Sequence, residues 1–258
     1  MIYSIKRFSE KEKEKTGIRD SLILGGSLTA ADISHNIINR EYVKKLNRDL
    51  KKTSREEKKI YRKLKSDFRK RKNTLLKEGI DYEGNIVKQT AGGLLEDSFG
   101  NKHKYIQIQG NNVGNASVLG HELGHIHYLT DKNAKKLGKY AHKLRGISDN
   151  STLIGFGTGF ASGINSAKKE DKESKLSRVS GGLTAVTSNI PRLVAEQQAS
   201  KYGYNLLKQS GASKKHLSKA NKNYKRMLLT YGTGILGDIG AAELGRAAGK
   251  YIAKSENK

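Results

Sequence analysis

The chain has 258 residues, 35% apolar and 7% aromatic, with a mean hydropathy of -0.69, so it can bury one good core or two modest ones but is too polar to be core throughout. It has no cysteine, which excludes disulfide frameworks, thiolate zinc sites and cysteine nucleophiles and leaves His, Asp and Glu as the side chains able to hold a metal. With 50 Lys and Arg against 25 Asp and Glu, the formal charge of +25 either solvates the surface or draws the protein towards anionic partners such as an anionic membrane surface.

Met1 to Lys15 is too charged for a secretory leader, so a cytoplasmic or membrane-associated protein is expected rather than an exported one. From Ile38 to Lys77, apolar residues recur at helical spacing (Val43, Leu46, Leu50, then Tyr61, Leu64, Phe68, Leu75) among dense Lys and Arg, which predicts two amphipathic helices. Ser54-Arg55-Glu56-Glu57 has the form of a capping box and sets the second helix start near Arg55. The basic stretch lacks interleaved aromatics and any nucleic-acid motif, so it reads as a solvated helix face or a docking arm rather than a nucleic-acid grip. Residues 1–78 form an expected accessory region on this reading.

After Gly79, Gly, Asn and Asp punctuate short β-prone pieces that end in a strand at Lys104–Gln109, marked by its period-two alternation. The loop Gly110–Asn115 leads into a predicted helix over Ala116–Leu129, and Asp131 can cap another over Lys132–Leu144. Three later segments, Leu153–Ala167, Gly181–Leu207 and Met227–Ala253, are apolar and rich in small residues. Gly155, Gly159 and Gly163 form one four-residue ladder and Gly237, Ala241, Gly245 and Gly249 another, which lets helix backbones approach closely. The uncharged run Asn150–Ala167 is at the lower limit of a membrane span; buried or interface helices are the other reading. The fold class expected is mainly α with a small β element, with residues 79–210 as the central region and 211–258 as a glycine-rich helical end.

The central helix carries His121-Glu122-Leu123-Gly124-His125. Residues four apart on a helix project side by side, so His121 and His125 can each offer a nitrogen to one zinc ion. Glu122 points near the same metal, where a carboxylate can take a proton from water as general base and return it as general acid. His127 falls on the opposite side of the helix and has no part in this arrangement. A third protein ligand is needed. Glu196 is the best candidate, since helical projection of Arg192–Gly203 sets it among Leu193, Ala199 and Gly203 on the buried side, where a carboxylate is costly unless paired or bound to metal. An ion pair with Arg192 is the bland alternative, and Glu96, Asp97 and Asp131 are rivals in polar, turn-like surroundings. Tyr128, Tyr202 and His216 stay open as electrophilic helpers.

The motif helix followed downstream by Glu196-Gln197-Gln198-Ala199-Ser200 resembles the gluzincin zinc metallopeptidases of the CAAX-prenyl-endopeptidase and heat-shock membrane protease type, and is similar also to the bacterial membrane neutral zinc metallopeptidases. The resemblance covers roughly Lys104 to Leu207. It implies a zincin-like core, His121, His125 and Glu196 as zinc ligands, Glu122 as the catalytic base, and a protein or peptide substrate. It further implies that the strand through Tyr105, Ile106, Gln107 and Ile108 binds that substrate by strand pairing. Ser200 stands where the prenyl-endopeptidase branch has Asp. The competing expectation is a structural or membrane-interacting helical protein that keeps a non-catalytic zinc site.

Overall fold

The short helix-capping motif in the N-terminal region does what its residue types dictate. In a computed structural model that describes residues 53–79, 90–96, 98–130, 140–141, 143–168 and 175–256, helix α1 spans Arg55–Arg69. The Ser54 hydroxyl accepts from the Glu57 N–H at 3.1 Å, and the Ser54 N–H donates to the Glu57 carboxylate at 3.2 Å. Ile60, Tyr61, Leu64 and Phe68 form its buried face, each contributing about 2 kcal/mol through burial. The helix expected around Val43–Leu50 lies outside the described residues, as do Asp97, Asp131 and most of Lys132–Leu144.

Three strands follow: β1 (Thr74–Glu78), β2 (Ala91–Glu96) and β3 (Lys102–Ile108). They form one sheet in the order β1-β3-β2, with β1 parallel and β2 antiparallel to β3. The expected strand at Lys104–Gln109 is therefore present, but it is the middle strand. Its Ile106 and Ile108 are fully buried in the same core as α1 and the motif helix α2 (Ala116–Thr130). With both edges of β3 occupied, Tyr105, Ile106, Gln107 and Ile108 have no free backbone edge on which an extended peptide can add, which corrects the substrate-binding expectation for these four residues.

The rest is helical: α3 (Arg145–Asp149), α4 (Ser151–Lys168), α5 (Lys175–Gln209) and α6 (Lys214–Glu256). Gly211 turns the chain between α5 and α6 at φ 87°, a left-handed conformation that glycine adopts without a Cβ penalty. Among the described residues the protein is thus mainly helical with one small sheet, as the sequence predicts.

The described residues fall into two units. Those within Glu41–Arg145 and Ile190–Tyr231 form one, which contains α1, the sheet and α2; those within Gly146–Asn189 and Gly232–Lys258 form the other. The helix α1 and strand β1, assigned from sequence to an accessory region, pack in the same unit as the motif helix. In the second unit the glycine ladders meet backbone. A Cβ at Gly159 would run into the Ala242 carbonyl, and one at Gly245 into that of Phe156. A buried carboxylate, Asp238, ties this unit together by accepting from the Ser151 hydroxyl at 2.6 Å, the Asn189 amide at 2.7 Å and the Thr152 hydroxyl. Among the described residues, no helix is long and apolar enough to cross a membrane.

Candidate metal centre

Helix α2 begins where Asn115, at its N-cap, accepts the Val118 N–H at 3.1 Å. Its residues from Ala116 to Ile126 are all buried, around the whole circumference, because β2 and β3, α1, α5 and α6 close over it. Helix α5 crosses at small residues. A Cβ at Gly124 would strike the Ala199 carbonyl and one at Gly203 would strike Gly120, so two backbones touch where larger side chains would hold them apart. That close approach carries Glu196 to the two motif histidines.

His121 Nε2 lies 3.0 Å from Glu196 Oε2, His125 Nε2 lies 3.3 Å from the same oxygen, and the two Nε2 atoms are 3.2 Å apart. The three residues are 2%, 4% and 2% exposed for His121, His125 and Glu196 respectively, and together they form a group able to hold a metal ion. A tetrahedral zinc with ligands at about 2.0 Å sets its donor atoms about 3.3 Å apart. The observed triangle has that size, so the residues present fit the ion.

The outer nitrogens are also engaged. His125 Nδ1 lies 3.0 Å from the Tyr128 hydroxyl and His121 Nδ1 lies 3.2 Å from the Ser200 hydroxyl. In the tautomer with both Nδ1–H groups donating outwards to these oxygens, both Nε2 lone pairs are left for a bound cation; with a proton on Nε2 instead, either imidazole donates to the Glu196 carboxylate. Burial by itself pushes the Glu196 carboxyl up; hydrogen bonds from His121 and His125, together with their charge, outweigh this and hold it well below the usual carboxylate range.

Glu122 is 5% exposed on α2, and strand β2 passes over it: a Cβ at Gly92 would meet the Glu122 backbone and Cβ. The Tyr224 ring lies 5.8 Å from that of His121, and its hydroxyl donates to the Ser117 carbonyl at 2.9 Å. Burial, then the nearby Glu122 charge, push the Tyr224 phenol far up, so it stays a neutral donor.

His121, His125 and Glu196 are thus brought together as expected. The Arg192 guanidinium sits 5.7 Å from the Tyr231 ring centroid, and the Glu196 carboxylate faces the two imidazoles. Of the open helpers, Tyr128 supports His125 from behind, Tyr202 packs 4.4 Å from His127, and His216 lies in the first turn of α6 beside Glu56. Two contributors were missed. Tyr224 sits on a distant helix with no local sequence signal. Gly92 did carry one, since glycine inside a β-prone run marks close backbone approach. No protein-family model, curated protein or solved structure matches the chain.

Proposed function

We propose that the chain is a zinc-dependent metalloendopeptidase with a zincin-like core, and that His121, His125 and Glu196 hold the zinc ion. The observation that carries this reading is the buried triangle of His121 Nε2, His125 Nε2 and Glu196 Oε2, with sides of 3.0 to 3.3 Å. Three protein ligands of this type leave a fourth position open, which is the arrangement of a catalytic zinc rather than a closed structural one. Zinc when bound supplies Lewis acidity, polarising a carbonyl and acidifying water.

The remaining work falls to the chain itself. Glu122 takes a proton from the attacking water at its carboxylate and returns it to the leaving amine, so the carboxylate is restored at the end of each turnover. Ser200 and Tyr128 keep the imidazoles in the tautomer that turns Nε2 inwards. Substrate is an extended peptide, and β2 replaces β3 as the strand that receives it. Among the described residues β2 pairs only with β3, so its other edge is available, and Gly92 brings it against Glu122.

The second reading is a helical protein with a metal site kept for stability. It is favoured by the near-complete burial of Glu122 along with the three ligands. Cleavage of a peptide library by wild type and Glu122→Gln separates the two. A peptidase cleaves as wild type and loses cleavage with zinc retained in the variant; zinc in both with cleavage in neither leaves the stability role.

A further inference from the structure

Within the unit that holds the metal centre, a half-open pocket of about 460 Å³ lies between α5 and α6. Each helix gives it three residues at the same spacing, a hydroxyl residue, a lysine and a larger apolar or aromatic side chain. Ser200 and Tyr224 are buried hydroxyl residues on the floor, Lys201 and Lys225 are exposed next to them in sequence, and Tyr204 and Leu228, a turn further on, are half-buried. The volume is within the range of small-molecule sites, roughly 300–1,000 Å³. Two ammonium groups on opposite walls of one concavity repel each other and raise the local positive potential, and among the described residues neither has an ion-pair partner. An anion between them relieves that repulsion, while the ring of Tyr204 and the side chain of Leu228 offer surface to an apolar body.

We propose that this pocket binds a carboxylate carrying an aromatic or aliphatic body, with the carboxylate between Lys201 and Lys225 and the body against Tyr204 and Leu228. A free organic acid and the carboxyl terminus of a peptide share this chemistry. The pocket floor is also the outer side of the metal centre, because Ser200 lines the pocket and its hydroxyl lies 3.2 Å from His121 Nδ1. An occupant that draws this hydroxyl away removes the outer partner of His121 and so changes affinity for metal. This coupling rests on His121 being a metal ligand; carboxylate binding does not.

The test is calorimetric titration of the full chain with N-acetyl-phenylalanine, its carboxamide, and a pentapeptide ending in phenylalanine. The acid binds saturably and the carboxamide at least about tenfold more weakly, a difference of about 1.4 kcal/mol. The double variant Lys201→Glu/Lys225→Glu, whose exposed positions leave the far-ultraviolet circular dichroism unchanged, loses the acid. Tighter binding of the pentapeptide identifies a peptide terminus as the occupant, and tighter binding of the acetylated amino acid identifies a free acid. Equal binding of acid and carboxamide, undiminished binding by the double variant, or no saturation by any of the three overturns the proposal. Zinc titrations with and without saturating N-acetyl-phenylalanine read the coupling, which by reciprocity changes both affinities by one factor. An unchanged zinc affinity removes the coupling. Failure to bind zinc at all removes the metallopeptidase reading while the carboxylate titrations still decide the pocket.

Discussion

Glu196 is buried at a depth where a lone carboxylate is expensive, and it stays ionised because two imidazoles face it. The residues around it separate holding a metal from using it. Glu122→Gln keeps the shape and the ligand set but removes the proton acceptor, so zinc content is unchanged and the turnover number falls by about 10²–10⁴-fold, read by peptide hydrolysis. Ser200→Ala removes the hydroxyl behind His121 and Tyr128→Phe the one behind His125; each lowers zinc affinity by about 10–100-fold in a chelator competition, with little change in thermal unfolding. At this level the sequence was informative: the four-residue spacing of the histidines and the helical projection of Glu196 picked out the three side chains that converge. Tyr224 was not legible, because its approach to His121 is made by tertiary packing of a separate helix and leaves no periodic trace.

Helix α2 meets α5 at glycine and alanine, so a single methyl group is a sensitive probe of how the ligands are held. Gly124→Ala drives a Cβ into the Ala199 carbonyl. It destabilises by about 1–3 kcal/mol, measured by chemical denaturation, and weakens zinc binding by moving Glu196 away from the histidines. Ser54→Ala, at the start of α1, costs about 1 kcal/mol and leaves zinc binding unchanged. The exposed Glu56 carboxylate accepts from the Ser213 N–H at 2.7 Å and its hydroxyl at 3.0 Å, and these bonds hold its carboxyl below the usual value of 4.5. A folded value depressed in this way gives a contribution that is complete above the unfolded value and is lost as pH falls through the folded one. Glu56→Gln therefore lowers the neutral plateau of stability and flattens its acid limb, so that variant and wild type converge as pH falls through the folded value. Capping box, motif helix and strand alternation were all readable in the sequence because each is a local preference. The position of β3 between two partners was not, since strand order depends on pairings with distant segments.

Across the whole chain, the glycine ladders announced close helix packing, and the backbone contacts at Gly159 and Gly245 are of that kind. They did not announce which segments share a unit. The described residues of Glu41–Arg145 join with Ile190–Tyr231, so the boundary falls inside α5 and α6, beside Pro191 in one and at Gly232 in the other, residues that both helices carry through unbroken. A ligand held by helices far apart in sequence stabilises the folded chain that assembles it, by about 2.7 kcal/mol at a hundredfold excess of zinc over its dissociation constant. The measurement to make first is zinc per chain, by elemental analysis of wild type and Glu196→Ala after metal is supplied and excess removed. One zinc in wild type and almost none in Glu196→Ala is the expected result. An empty wild type, or a variant that retains its zinc, would contradict the three-ligand zinc site.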